Sequence, residues 1–258
     1  MGTTFVRRGV LAASAVSLCL PAAACDSGSG TGAGAGKDGS VEDARAGAAP
    51  GGTEQSAALG RLLVAPADLP EYRVEGKPPR REPERKVPSD KEVCVPLVRA
   101  QAGIPIGRAA GTAVAAVMEK AGPAAADAGE DEKLDALRES AAKPQTTVTL
   151  DSYADQGAQA AFAAVKAAMA ACAGGYTAFE GPKAIKVEQL LPGETVPAGD
   201  ESLAYQIVWD LPEGQKTPLQ YVFVRKGAVL ATFERRGGPG GAPQPPAAVV
   251  AAQAGKLG

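Results

Sequence analysis

Only two cysteines, Cys94 and Cys172, lie beyond the first 25 residues of this 258-residue chain, and a bond between them would constrain the fold more than any other pair of residues. The stretch before them, MGTTFVRRGVLAASAVSLCLPAAAC, has the three parts of an export signal: a charged start with Arg7 and Arg8, an apolar run from Val10 to Leu20, and small residues up to Cys25. The apolar run is about 11 residues, roughly 17 Å as a helix, which is too short for a hydrocarbon core of about 30 Å. Residues 1–24 are therefore read as a cleaved signal peptide, and Cys19 leaves with it. An exported domain faces an oxidising compartment, so Cys94 and Cys172 are expected to pair.

The ending Ala22-Ala23-Ala24-Cys25 resembles the lipobox of bacterial lipoproteins, in which the cysteine becomes the new amino terminus and carries the lipid. Ala22 stands where that motif prefers leucine. The resemblance implies lipidation of Cys25 and a place on the outer face of the cell membrane. The same alanines also satisfy an A-x-A cleavage site, so secretion is the alternative if Cys25 is not lipidated. Arg7-Arg8 follows Val6 rather than Ser or Thr, which leaves the export route open between the general and twin-arginine pathways.

Residues 25–55 are nearly free of large apolar side chains and read as a flexible Gly/Ala/Ser tether, with a root-mean-square span of roughly 30 Å. Within it, Gly30 to Ala35 half-matches a dinucleotide fingerprint, but neither the strand nor the helix that motif requires flanks it. The folded domain is placed at 56–258. Its core is thin: 45% of the chain is hydrophobic by type, but 54 residues are alanine. Closing the 78-residue span between the cysteines, worth about 4.5 kcal/mol in the chain-entropy account, is then a large share of stability.

Leu59, Leu62 and Leu63 share a helical face, Tyr72 to Glu75 reads as a short strand, and the proline-rich Lys77–Lys91 stretch as an extended basic loop. Pro96 opens a helix carrying Leu97 and Val98, with Cys94 at its start, and a strand is read from Thr112 to Val117. The acidic run 127–139 is read as an exposed helix rather than a calcium loop, because it lacks the glycine-anchored ligand spacing. Thr147 to Tyr153 alternates as a strand. Asp155 is then expected to cap a helix whose stripe Phe162, Val165, Met169 and Cys172 faces the core and which ends at Gly174-Gly175. Strands follow at 184–190, 202–211, 219–225 and 228–234, the last two joined by Lys226-Gly227, before a helix that starts at Pro245-Pro246.

The order PQTTVTLDSYADQGAQAAFAAVKAAMAACAGGYTAF, AGDESLAYQIVWDL, LQYVFVRKGAVLATFERRG and AAVVAAQAGKL resembles the PknH-like extracellular sensor domain of actinobacterial receptor kinases and free-standing lipoproteins. The resemblance spans roughly 57–257. It implies an α+β fold, a twisted antiparallel sheet packed with helices and tied by one disulfide, with a cleft for an unidentified ligand. The second cysteine pair of the kinase relatives is absent here.

Composition narrows the chemistry. The chain has no histidine, which removes imidazole-based catalysis and imidazole zinc sites, and neither a metal nor a cofactor is expected. With 27 basic and 29 acidic residues there is no basic excess to hold nucleic acid. Ser140-Ala141-Ala142-Lys143 matches the S-x-x-K of penicillin-binding proteins, but Lys216-Thr217 is followed by Pro218 and Ser89-Asp90 by Lys91, so its companion motifs are incomplete. Asp200-Glu201 is read as turn chemistry, its carboxylates not required to converge. Trp209 and Tyr221 are read as core aromatics. Arg80, Arg81, Arg85, Lys86, Arg235 and Arg236 remain as candidate contacts for a ligand or an envelope protein. The expected function is a tethered binding or sensor module without catalytic residues. The alternatives are an adaptor docking another envelope protein, or a carrier of hydrophobic ligands.

Overall fold

The computed structural model describes residues 50–79, 85–120, 129–211, 214, 216–237 and 243–258, all within the compact unit Ala46–Gly258. Eight strands form one open antiparallel sheet: β1 (Tyr72–Lys77), β2 (Gly111–Glu119), β3 (Gln145–Ser152), β4 (Tyr176–Glu180), β5 (Lys183–Pro192), β6 (Glu201–Asp210), β7 (Lys216–Lys226) and β8 (Val229–Arg236). Their spatial order is β1-β2-β3-β8-β7-β6-β5-β4. The strands from β4 to β8 form a meander, and its last member returns to pair with β3, Val148 facing Phe233.

Among the described residues five α-helices complete the domain: α1 (Pro50–Leu62), α2 (Val95–Gln101), α3 (Glu130–Ala142), α4 (Gly157–Ala171) and α5 (Ala247–Lys256). The fold is α+β, as expected. Strand alternation supplies the sheet with two apolar faces. On β7, Leu219, Tyr221 and Phe223 point to one side and Val222 and Val224 to the other, and all five are fully buried. Helices α2 and α4 cover the first face and α1 and α5 the second. Alanines at 158, 161 and 168 fill the buried stripe of α4 together with Phe162 and Val165, so the alanine-rich composition is used where a helix lies on a sheet.

The Cys94–Cys172 disulfide joins the short 3-10 turn Glu92–Cys94 to the carboxyl end of α4, and both cysteines are wholly buried. The chain then turns at Gly175, whose φ of 87° suits glycine and where an added Cβ would lie 2.4 Å from the Val187 and Glu188 carbonyl oxygens.

Several boundaries differ from the sequence reading. Helix α1 begins at Pro50, inside the stretch read as tether, and packs so closely on Gly111 that a Cβ there would stand 2.7 Å from the Ser56 nitrogen. Leu62 is 38% exposed, because α1 ends there and the core contacts come from Leu59 and Leu63. Asp155 does not cap α4. It takes a φ of 49°, and the cap position falls to Gln156, which makes no side-chain cap bond. Strand β4 is an addition to the expected set. Asp200 and Glu201 do converge: both carboxylates grip Arg225, at 2.9 and 2.6 Å, and Asp200 also accepts the Gly227 amide at 2.8 Å. Together they clamp the start of β6 to the β7–β8 turn.

Candidate functional site

A cavity of about 340 Å³ opens between α2 and the end of the sheet that carries β4, β5 and β6. Its aliphatic walls are Val98 and Ala102 from α2 and its end, Val87 from the segment before α2, Ala178 from β4 and Ile185 from β5. Phe179, Glu180, Gln101, Trp209 and Arg236 complete the lining. The wall carrying Val87 is fixed by a strap along the sheet edge. There Phe179 N–H donates to the Pro88 carbonyl at 3.0 Å, Thr177 N–H to Asp90 Oδ1 at 2.8 Å, and Ser89 bridges Ala178.

Two strands place the central polar pair. Trp209 occupies an inward position near the end of β6, while Arg236 ends β8, opposite Leu219 of the intervening β7. Both side chains project to the α2 face, and the Arg236 guanidinium reaches across β7 to lie 5.4 Å from the indole centroid. Its Nε donates to Glu234 Oε1 at 3.2 Å, and the Tyr221 hydroxyl donates to Glu234 Oε2 at 3.2 Å. Glu234 is buried, so the cation is held from behind by a desolvated carboxylate. The indole Nε1 of Trp209 is also buried and meets no acceptor among the described residues.

Behind this pair lies a buried polar cluster. Gln101 Nε2 donates to the Tyr176 hydroxyl, and the Tyr205 ring stacks on Tyr221 with centroids 5.0 Å apart. Burial raises the pKa of both Tyr176 and Tyr205, keeping these phenols protonated at neutral pH. On the same face Asp151 accepts from Thr112 Oγ1 at 2.7 Å, and burial pushes its carboxyl up to about 7.

Of the basic residues read as candidate contacts, the structure brings only Arg236 into the cavity lining. Its neighbour Arg235 points to the opposite face and pairs with Glu119 at 3.2 Å. Arg85 and Lys86 are exposed on the segment leading to Val87, whereas Arg80, Arg81 and Cys25 lie outside the described residues. The S-x-x-K lysine, Lys143, donates to the Lys120 carbonyl at 3.0 Å, Lys216 pairs with Glu188, and Ser89 binds the Thr177 carbonyl. Among the described residues no group of three or more carboxylates and thiols is placed to hold a metal ion, and no helix is long and apolar enough to cross a membrane.

Trp209 was expected in the core, and it does pack against the apolar cluster, but one side of it faces the cavity. Gln101 and Glu234 escaped the sequence reading. Their signals were a glutamine on the apolar face of α2, four residues from Leu97, and a carboxylate in phase with Leu230 on an inward strand position.

No protein-family profile matches the chain, and no curated protein matches it. Among solved structures, it is similar to the extracellular domain of PknH from Mycobacterium tuberculosis, with a TM-score of 0.47 and 11% sequence identity, covering 79% of this chain and 95% of that one.

Proposed function

We propose that this protein is a membrane-tethered extracytoplasmic lipoprotein whose folded domain binds a small ligand in the α2 cavity, as a binding or sensor module without catalysis of its own. The observation that carries the reading is the cavity. Its volume of about 340 Å³ falls within the range of small-molecule sites, about 300–1,000 Å³, and aliphatic walls enclose a few convergent polar groups, as such sites require. The export signal ending at Cys25 and the buried Cys94–Cys172 bond favour an oxidising compartment. An adaptor would work through a broad apolar face. Among the exposed large apolar residues of the described chain, Leu62, Val93 and Leu134 lie on separate elements and Leu191 and Val208 form one pair on the neighbouring strands β5 and β6, so they make no broad face.

Two measurements test the two halves of the proposal. Cys25→Ala should move the protein from the membrane fraction to the soluble one, because two acyl chains anchor stably and no helix among the described residues is long and apolar enough to span. A mutant that still sediments with membranes after a salt wash refutes the anchor. For the binding half, the chain contains a single tryptophan, and it lines the cavity. A small-molecule extract of the envelope should therefore shift Trp209 fluorescence saturably. Ala102→Phe, which fills the cavity from the end of α2, should abolish the shift while the far-ultraviolet circular dichroism is kept. An unchanged response in Ala102→Phe places binding elsewhere.

A further inference from the structure

Resting on the cavity reading above, we infer that the ligand is a small apolar carboxylic acid, its carboxylate held by Arg236 and its body lying against Val87, Val98 and Ile185. The argument starts from which hydrogen-bonding groups at the cavity are already engaged. The Glu234 carboxylate is taken by Arg236 Nε and by the Tyr221 hydroxyl. The Gln101 amide nitrogen is taken by Tyr176. What the wall still offers as a cationic donor is the terminal edge of Arg236. Among the described residues its terminal nitrogens meet no acceptor. A ligand that satisfies them must present oxygen acceptors.

Geometry narrows this to a planar oxyanion. Glu234 fixes the Nε edge of the guanidinium and the indole supports its face, so the terminal edge is presented in one orientation, the fork that matches a carboxylate. The Arg236 side chain is half exposed and does not have to leave the core to engage. Arg236 is the cation of the lining, which also holds the Glu180 carboxylate and borders Glu234, and this favours a ligand of one negative charge over a polyanion. The walls made by Val87, Val98, Ala102, Ala178 and Ile185 are aliphatic, and they suit a branched or aromatic body.

The test uses the full-length protein in detergent at pH 7, with 3-phenylpropionate as probe and its primary amide and α-methyl glucoside as neutral controls. Binding is read by calorimetry, and Trp209 fluorescence reports the site. The acid is expected to bind saturably with a fluorescence change, the amide at least tenfold more weakly, and the glucoside more weakly still. Arg236→Gln is expected to weaken the acid at least tenfold and leave the amide unchanged, while Arg235→Gln, on the other face, alters neither. Equal affinity for acid and amide, or full binding of the acid to Arg236→Gln, overturns the carboxylate assignment while the cavity keeps its role. Tighter binding of the glucoside than of the acid also overturns it. If no probe, charged or neutral, binds or perturbs Trp209, the cavity reading falls with it.

Discussion

Asp151 shows how one buried carboxyl sets a pH dependence opposite to that of its surface counterparts. It is 4% exposed one residue from the end of β3, on the sheet face covered by α2 and α4, and burial raises its pKa to about 7 against the opposing pulls of the Thr112 hydrogen bond and Arg99. Because the unfolded value is about 3.9, the native state holds the extra proton between the two values. The contribution of this group to stability is fully present below about pH 4 and is lost as pH rises through about 7, an upper bound of about 4 kcal/mol. Asp68, Asp90 and Asp200 act in the other direction. Their carboxyls are held below the usual range by hydrogen bonds from Lys256, the Thr177 amide and the Gly227 amide respectively, so their contribution is present above about pH 4 and lost on acidification. Urea melts of Asp151→Asn at pH 5 and pH 8 should show a variant more stable than the parent at pH 8 and close to it at pH 5. A variant no more stable at pH 8 would mean that Asp151 is ionised at no net cost. Alternation alone marks Asp151 as inward in the sequence, but its environment comes from Thr112 on β2 and Arg99 on α2, which no local pattern connects to it.

At the level of elements, the two helices on the second face are joined by one side chain. Gln253 of α5 is fully buried. Its Oε1 accepts the Val64 amide at 3.0 Å, and its Nε2 donates to the Leu62 carbonyl at 2.8 Å, so it closes the carboxyl end of α1. Gln253→Leu keeps the volume but strands both backbone groups. At about 1–3 kcal/mol for each buried unpaired group, the expected loss is about 2–6 kcal/mol, read as a lower urea midpoint at unchanged slope. Gln253→Glu separates the roles, because it keeps the acceptor for Val64 and loses the donor to Leu62. Helices whose starts carry proline, α2 and α5, were legible in the sequence, as were β3 and β6 to β8 from their alternation. The start of α4 was not, because Asp155 adopts a left-handed conformation that takes its side chain out of the cap position. Strand β4 was missed because its five residues lie between the turn glycines Gly175 and Gly181, too short a run to show alternation.

For the whole molecule, the disulfide is the longest covalent closure, 78 residues between two wholly buried cysteines. Removing it by Cys172→Ser should cost about 2–5 kcal/mol, measured as a drop in denaturation midpoint. Because neither sulfur reaches solvent, dithiothreitol should leave the bond intact in native buffer and cleave it once urea unfolds the domain. Rapid native-state reduction would show that α2 opens away from α4. The pairing itself was legible from cysteine arithmetic. The cavity was not, because its walls come from separate segments between Val87 and Arg236 and take their places only through the sheet order. That order has a temporal consequence. Synthesis runs from the amino end, so β3 is made long before β8, the strand that must lie beside it. Until Val229–Arg236 has emerged, one edge of β3 remains without its partner, and Val148 and Leu150 lack Phe233 and Ala231 as neighbours. The meander from β4 to β8 pairs through sequence neighbours at little loop-closure cost, whereas the β3–β8 seam joins distant segments. Assembly of the sheet is therefore delayed to the last strand, and a nascent chain halted before Val229 presents a bare hydrophobic edge to any chaperone that meets it.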